Sequence, residues 1–260
     1  MTRQGPQGPC TPKALRGTFL PFAAPLRQYR PMSRRSFEVT PDLMLRAYRA
    51  GLFPMAETRR GDRLYWLDPE QRGVLPLEGF HLSRRLLRTA LNGGFEVVAD
   101  RDFPSTIAAC AEAAPGREDT WINPEIERLF TDLHRLGHAH SIECRLHGCL
   151  VGGLYGVALG GAFFGESMFS RVRDASKVAL VHLVARLRLG GFTLLDTQFV
   201  TSHLAQFGAI EIPRDAYKTL LAQAVDTPAR WILEVDPGRL EAEMRLLAGR
   251  GGAGDEAGKD

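Results

Sequence analysis

Two acidic side chains and one amide lie on predicted strands and could together perform acid–base or positioning chemistry. Glu166 interrupts the apolar and small-residue run FFGESMFS, where burying an unpaired carboxylate would be costly. Asp196 and Gln198 alternate along LLDTQF, so their side chains point to one side of that strand. If the two strands lie close together, these groups converge in an apolar setting, which is typical of functional sites. From spacing alone, Asp196 and Gln198 could equally be a structural capping or edge pair.

Apolar side chains near these strands could line a pocket beside the polar groups. The candidates are Met168, Leu183, Leu187 and Leu195. Leu183 and Leu187 lie one turn apart on a predicted helix, although each candidate taken singly is typical of a core. Trp66 and Trp121 could stack on a nucleic-acid base, but tryptophan is more commonly a core residue.

A histidine-rich stretch, HRLGHAH, raises the question of a metal site. Gly137 is expected to end a helix between His134 and His138, so these two rings need not share a face. His138 and His140 share a strand face, but the spacing supplies no third ligand. Packing and hydrogen bonding therefore explain these histidines better, and we expect no bound metal.

Two further motifs match catalytic or nucleotide-binding patterns poorly. GESMF begins like a Gly-x-Ser-x-Gly nucleophile elbow, but Phe169 takes the place of the last glycine. The glycine pairs at 152–153 and 160–161 lack the spacing before a helix that a dinucleotide site or a P-loop requires. We interpret these glycines as turns and close backbone approaches.

The elements that must position the candidate residues follow from caps, periodicity and turns. VTPDLMLRAYRAG predicts a helix with Thr40 as N-cap and Gly51 at its end, and RLYWL and RGVLPL predict two short strands. Further helices precede three strands joined by glycine-containing turns. A helix that Asp174 would cap then leads into the strand FTLLDTQF. This order predicts an α+β fold with a mainly antiparallel sheet flanked by helices.

We expect four segments along the chain. Residues 1–35 are expected to be a disordered basic arm, and residues 36–78 a small N-terminal α/β domain. Residues 79–230 are expected to form the larger, catalytic domain. Residues 231–260 are expected to be a C-terminal tail, disordered after about residue 248.

Composition places the chain among globular proteins, because 44% of its 260 residues are hydrophobic and 24% are charged. No apolar run approaches the roughly 20 residues that span a bilayer. The net charge of +3 is unevenly spread: residues 1–37 carry seven basic and no acidic residues, which leaves 26 basic against 30 acidic residues elsewhere. A polyanion must therefore bind the body through a local patch. The four cysteines follow no disulfide or zinc spacing, which indicates a reduced, cytoplasmic setting.

Eight stretches of the chain occur in an order that closely resembles the leucyl/phenylalanyl-tRNA–protein transferases. They are GLFPM (51–55), WLDPEQRGVLP (66–76), TWI (120–122), LHRLGHAHSIE (133–143), LVGGLYGV (150–157), FGESMFS (164–170), DASKVAL (174–180) and LDTQFVTSHLAQFGA (195–209). The likeness extends over residues 41–224, which is most of the chain.

The resemblance implies that the catalytic domain is similar to the acetyltransferase (GNAT-like) fold. It implies transfer of Leu or Phe, sometimes Met, from aminoacyl-tRNA to the α-amino group of proteins that begin with Arg or Lys. The product would then be degraded through the N-end rule pathway. The implied partners are Leu-tRNA, Phe-tRNA and those acceptor proteins, with no membrane and no DNA. No cofactor is implied, because the tRNA supplies an activated ester.

The resemblance also implies roles for the polar residues. Gln198 would hydrogen-bond the attacking amine, and Asp196 would orient Gln198 or assist proton removal. Glu166 would attract the cationic terminus of the acceptor. The pocket that selects Leu or Phe would consist of Leu154, Met168, Leu183, Leu187 and Leu195.

The implied contacts with tRNA involve aromatic and basic residues. Trp66 and Trp121 would hold the terminal adenosine by stacking. Arg84, Arg85 and Arg88 would contact phosphates of the acceptor stem, although a solvated helix face explains these three arginines equally well.

Two rival functions are compatible with parts of this pattern. A coenzyme A-dependent acetyltransferase would need a glycine-rich loop that opens a helix, and SRVRDASK contains no glycine. A tRNA-binding module without catalysis would not need Asp196, Gln198 and Glu166 together.

Overall fold

The computed structural model describes residues 39–113 and 118–250, and the predicted arm 1–35 and the end of the predicted tail lie outside them. Within these residues the elements are α1 Pro41–Arg49, β1 Phe53–Ala56, β2 Leu64–Leu67, β3 Gln71–Val74, α2 Arg84–Asn92, β4 Glu96–Ala99, α3 Phe103–Cys110, α4 Pro124–Arg135, β5 Ala139–Leu146, β6 Cys149–Leu159, β7 Ala162–Ser170, α5 Ala175–Leu189, β8 Leu194–Gln198, α6 Ser202–Ala205, β9 Ile210–Pro213, α7 Arg214–Asp226 and α8 Pro237–Arg250.

The strands form a two-stranded sheet, β1–β2, and a seven-stranded sheet in the order β4-β5-β6-β7-β8-β3-β9. Neighbouring strands of the large sheet are antiparallel except β7 and β8, which run parallel. The helix α5 connects this parallel pair, as a parallel pair requires a long crossover. The predicted α+β class with a mainly antiparallel sheet is therefore confirmed.

The large sheet combines the two segments that the sequence suggested as separate domains. Strand β3, which lies within the predicted small domain 36–78, pairs with β8 on one side and β9 on the other. Residues 231–250, within the predicted tail, include α8, which packs on α2 and α5. The four-part division of the chain stays a prediction, with these two elements joined to the larger body.

Alternation along the strands produces two hydrophobic cores, one on each face of the large sheet. The first core contains residues of α1, α3, α4 and α7, and the second contains residues of α2, α5 and α8. On β6, for example, Tyr155 belongs to the first core and its neighbour Leu154 to the second. Helix α5 is apolar around most of its circumference because it lies between the sheet and the helices α2 and α8.

The predicted cap of α1 is present, whereas the predicted cap of α5 is not. Thr40 accepts a hydrogen bond from the N–H of Leu43, and Gly51 follows the helix with a φ of 83°. Asp174 precedes α5 but makes no capping hydrogen bond, so that prediction was wrong. The Asp174 carboxylate instead forms an ion pair with Arg85 of α2, 3.1 Å away, so a tertiary contact takes the place of the local capping bond.

Candidate functional site

The structure brings the three predicted polar residues together on the face of the sheet that carries the first core. The side-chain amide of Gln198 donates to Oε1 of Glu166 at 3.2 Å, and the backbone N–H of Gln198 donates to Oδ1 of Asp196 at 2.8 Å. Gln198 thus connects a carboxylate of β7 with a carboxylate of β8. The adjacency arises because β7 and β8 pair in parallel, with Phe164 opposite Asp196.

A β-bulge in β7 determines how Glu166 is presented. Gly165 pairs with Gly156 and Ser167 pairs with Tyr155, so Glu166 is the extra residue between them. Its side chain reaches Tyr48 of α1, which belongs to the first core. The extra residue also changes the sheet face to which each following side chain points, and Met168 consequently packs against the second core. Simple alternation would have placed Met168 beside Glu166.

The five predicted pocket residues lie in the second core, on the opposite face of the sheet from the polar residues. Met168 is half-buried against that core. The four others are buried within it: Leu154, Leu183, Leu187 and Leu195. Their role as an aminoacyl pocket stays a prediction.

Arg72 of β3 is a central residue of the site that sequence reasoning missed. Its Nε and Nη2 donate to the two carboxylate oxygens of Asp196 at 2.9 and 2.6 Å, and both side chains are at most 1% exposed. Its Nη1 donates to the carbonyl oxygen of Gly51 at 3.0 Å. Burial disfavours the guanidinium charge, but the Asp196 carboxylate outweighs it and raises the pKa of Arg72. The sequence analysis predicted RGVLPL as a strand but did not predict that its arginine is buried, and that burial is what requires a carboxylate partner.

Aromatic side chains enclose this ion pair. The rings of Phe53 and Tyr217 lie 4.4 and 4.5 Å from the guanidinium carbon of Arg72. The hydroxyl of Tyr217 donates to Oδ2 of Asp196 at 2.6 Å. Burial, together with the Asp196 charge, raises the pKa of Tyr217, which keeps the hydroxyl protonated as a donor. The carboxylate of Asp196 therefore accepts bonds from Arg72, Tyr217 and Gln198.

Glu166 has a different environment, in which no basic side chain donates a hydrogen bond to its carboxylate within the described residues. Tyr48 donates its hydroxyl to Oε1 of Glu166 at 2.8 Å. Burial raises the pKa of Glu166 to about 8, the Asp196 charge adds to that rise, and the Tyr48 hydrogen bond and Arg72 oppose it. Near neutral pH, a large fraction of Glu166 is consequently protonated. A carboxyl group with a pKa near working pH can respond to an arriving cation.

The backbone around Gln198 adopts a conformation that is rare for residues other than glycine. Gln198 has a φ of 58°, and the following residue, Phe199, donates its N–H to the carbonyl of Thr197 at 2.6 Å. Opposite it, a Cβ at Gly73 would lie 2.5 Å from the Phe199 carbonyl carbon, so glycine is required there. The hydrogen bond from the Gln198 backbone to Asp196 helps to hold this left-handed conformation. Strained backbone of this kind is concentrated at functional sites.

The two predicted base-stacking tryptophans lie on the same face as the polar residues. Trp66 is on β2, and the carbonyl oxygen of Trp121 accepts a bond from the N–H of Ala56 on β1 at 3.3 Å. Both side chains are half-buried and pack against the first core. Both residues therefore keep part of their surface accessible to solvent, and stacking on adenosine stays a prediction.

The three predicted phosphate-contacting arginines lie on α2 and are exposed to solvent. Arg85 forms the ion pair with Asp174, whereas Arg84 and Arg88 face solvent on the same side of the helix, four residues apart. This arrangement fits both interpretations, a phosphate-binding patch and a solvated helix face.

In HRLGHAH, the side chains of His134 and His140 make structural contacts. His134 stacks on Phe103, and its Nδ1 lies 2.8 Å from the carbonyl oxygen of Ala139. Nδ1 of His140 lies 2.7 Å from the carboxylate of Asp100. Across residues 39–113 and 118–250, no group of three or more histidine, cysteine or acidic side chains is arranged to hold a metal ion. In the same part of the chain, every helix is too short or too polar to cross a membrane.

Comparison with known proteins gives one consistent family. The model of the leucyl/phenylalanyl-tRNA protein transferase family matches residues 74–222, and the model of that family's N-terminal domain matches residues 37–70. A relative from Rhodopseudomonas palustris strain TIE-1 is 57% identical over 197 residues, which cover 76% of this chain and 88% of the relative. One from Paramagnetospirillum magneticum is 62% identical over 187 residues, which cover 72% and 90%. One from Gluconobacter oxydans is 55% identical over 221 residues, which cover 84% and 98%. All three are named leucyl/phenylalanyl-tRNA–protein transferase.

Proposed function

This chain belongs to the leucyl/phenylalanyl-tRNA–protein transferase family and is an aminoacyltransferase, and from that premise we propose its substrates. It transfers Leu or Phe, less often Met, from aminoacyl-tRNA to the N-terminal α-amino group of proteins that begin with Arg or Lys. The reaction takes place in the cytoplasm and marks the acceptor for degradation through the N-end rule pathway. The observation that carries the proposal is the position of Gln198 between two carboxyl groups of the family-matched segment: its side-chain amide donates to Glu166, and its backbone N–H donates to Asp196.

The reaction is the aminolysis of an ester. The lone pair of the acceptor amine attacks the ester carbon, a C–N bond forms, and the C–O bond to the terminal ribose of the tRNA breaks. One proton leaves the amine and one proton reaches the ribose oxygen. Because an N-terminal amine has a pKa of about 7.7–8.0, a useful fraction is already neutral at neutral pH. The protein can therefore act mainly by alignment and by polar groups that are fixed in advance.

In this proposal Gln198 accepts a hydrogen bond from the attacking amine, and Asp196 positions Gln198. The side-chain N–H of Gln198 donates to Glu166, which leaves its amide oxygen to face an amine. A general base needs a free lone pair within reach of the proton that it removes. Asp196 already accepts bonds from Arg72, Tyr217 and the Gln198 backbone, and it is fully buried. These contacts favour a positioning role over a role as base.

Glu166 attracts the positively charged N-terminal residue of the acceptor. Its raised pKa means that an arriving cation favours the ionised carboxylate, so binding and proton release are coupled. The hydrogen bonds from Tyr48 and Gln198 keep the carboxyl group oriented while its charge changes.

The remaining contacts of the proposal concern the donor. Leu154, Met168, Leu183, Leu187 and Leu195 bind the Leu or Phe side chain. Such a pocket discriminates by about 1–3 kcal/mol per methylene-sized difference. Trp66 and Trp121 stack on the terminal adenosine, and Arg84, Arg85 and Arg88 contact acceptor-stem phosphates.

The experiment that tests the function is an assay with radiolabelled Leu-tRNA or Phe-tRNA and two matched peptides, one beginning with Arg and one with Ala. We expect label on the Arg peptide alone. Label on neither peptide would contradict the transferase activity, and equal label on both would contradict the acceptor preference. A Gln198→Ala variant with full activity would remove Gln198 from the mechanism.

A further inference from the structure

Strand β7 has an open edge in the middle of the large sheet. It pairs with β6 along its whole length, from Ala162 to Ser170, but with β8 only from Ala162 to Phe164. Beyond that point β8 ends at Gln198, whose left-handed backbone turns the chain away. Residues 162–164 are buried, whereas residues 165–168 are half-buried. A notch therefore opens between β7 and the end of β8.

The backbone of Met168 faces this notch. In an antiparallel pair, successive residues turn their N–H and C=O groups alternately toward and away from the partner strand. The N–H of Arg171, just after β7, donates to the carbonyl oxygen of Val151 in β6 at 2.7 Å, so residues 167, 169 and 171 turn their backbone groups toward β6. Met168 turns its N–H and C=O the opposite way, toward the notch. The described part of the chain provides no strand to pair with them there.

A strand edge with unpaired N–H and C=O groups binds extended peptides, because each backbone polar group gains a hydrogen bond. This edge ends beside Glu166 and Gln198, the residues to which the proposed function assigns the acceptor amine. Asp196 is neutralised by Arg72, so Glu166 is the carboxyl group at the notch that an acceptor cation can engage. A basic N-terminus at the closed end of the notch therefore matches both the charge and the backbone geometry.

We propose that the acceptor polypeptide binds in the notch as an extended strand parallel to β7, in line with β8, with its amino terminus next to Gln198. In a parallel pair, consider a residue and the residue directly opposite it on the other strand. Its N–H donates to the carbonyl of the residue before that one, and its carbonyl accepts from the N–H of the residue after it. The N–H of Met168 then donates to the carbonyl of the acceptor's first residue, and the carbonyl of Met168 accepts from the N–H of its third residue. This inference rests on the proposed function and adds how the acceptor backbone is recognised.

Replacing single amides of the acceptor peptide by esters tests the proposal without changing the protein. The probe is a hexapeptide that begins with Arg and has an ester between its second and third residues. The matched control has the ester between its third and fourth residues, where the N–H points away from β7. We expect the first ester to raise KM on the order of fivefold, the effect of one net hydrogen bond, with kcat unchanged, and the control to leave both unchanged. Equal KM values for the two esters would overturn the proposal.

Hydrogen exchange at the Met168 amide gives a second readout that does not depend on turnover. We expect the hexapeptide to slow this exchange and an adenosine ester of phenylalanine, which mimics the donor, to leave it unchanged. Slowing by the donor mimic alone would assign the notch to the donor and overturn the proposal. Failure of the unmodified Arg peptide to accept label would instead contradict the proposed function, so the two failures are distinguishable.

Discussion

Arg72 and Asp196 form a buried ion pair in which two guanidinium nitrogens bond to two carboxylate oxygens, the shorter contact being 2.6 Å. Bidentate pairing of this kind fixes the orientation of the carboxylate as well as its charge. Because Asp196 in turn bonds to the backbone of Gln198, the ion pair supports the residue at the centre of the site. Arg72 lies on β3, so a strand from the N-terminal part of the chain orients the candidate site.

The first prediction concerns stability. Arg72→Met should lower the free energy of unfolding by about 3–5 kcal/mol, because it leaves the Asp196 charge buried without a partner. Urea denaturation measures the change. The double variant Arg72→Met/Asp196→Asn is the control and should recover part of the loss, since its amide carries no charge. A loss below about 1 kcal/mol in the single variant would contradict a desolvated ion pair.

The second prediction separates positioning from base catalysis at Asp196. Asp196→Asn should lower kcat at least tenfold, because the amide cannot accept every bond that the carboxylate accepts. The kcat/KM of this variant should still rise with pH through the pKa of the acceptor amine, near 7.7–8.0. Tyr217→Phe removes one donor and should cost only a few-fold in kcat. If kcat/KM of Asp196→Asn no longer rose with pH, Asp196 would be identified as the base.

The third prediction follows from the pKa of Glu166, which burial raises from 4.5 to about 8. Between these pH values the folded protein holds a proton that the unfolded chain has released, so rising pH disfavours folding. Glu166→Gln cannot ionise and should therefore gain stability relative to the parent protein as pH rises from 5 to 9. Below pH 4.5 the difference should become constant. Urea denaturation at several pH values measures it, with the exposed Glu70→Gln as control. A difference that is independent of pH would contradict the raised pKa.

The fourth prediction distinguishes the two interpretations of the α2 arginines. Replacing Arg84, Arg85 and Arg88 together by Ala should weaken tRNA binding and make it less dependent on salt, by about one unit of slope per lost phosphate contact. Titrations of binding over a salt series measure the slope. Replacing the exposed Arg135 and Arg245, on other helices, should leave the slope unchanged. An unchanged slope in the triple variant would identify its arginines as a solvated helix face.

Much of the site could be predicted from the sequence because side-chain direction on a strand depends on local geometry. The alternation of Asp196 and Gln198 along LLDTQF predicted that both face one side of the sheet, and both contact the same network. Alternation along an unbroken strand would place Met168 on the same sheet face as Glu166, whereas the structure places it against the second core. The bulge at Glu166 depends on how β6 and β7 pair, and nothing in FFGESMFS alone requires it.

By itself, the sequence determined the fold class, the first helix with its cap, and the residue types available for chemistry, because caps and periodicity act within a few residues. Only the tertiary structure decided which groups meet. Arg72 reaches Asp196 across 124 positions of the chain, and β3 lies between β8 and β9, because strand order depends on how the whole chain packs. The same packing separates β7 from β8 and opens the notch beside Glu166. Local geometry sets the direction of a side chain, but the burial of both sheet faces decides which residue lies next to it.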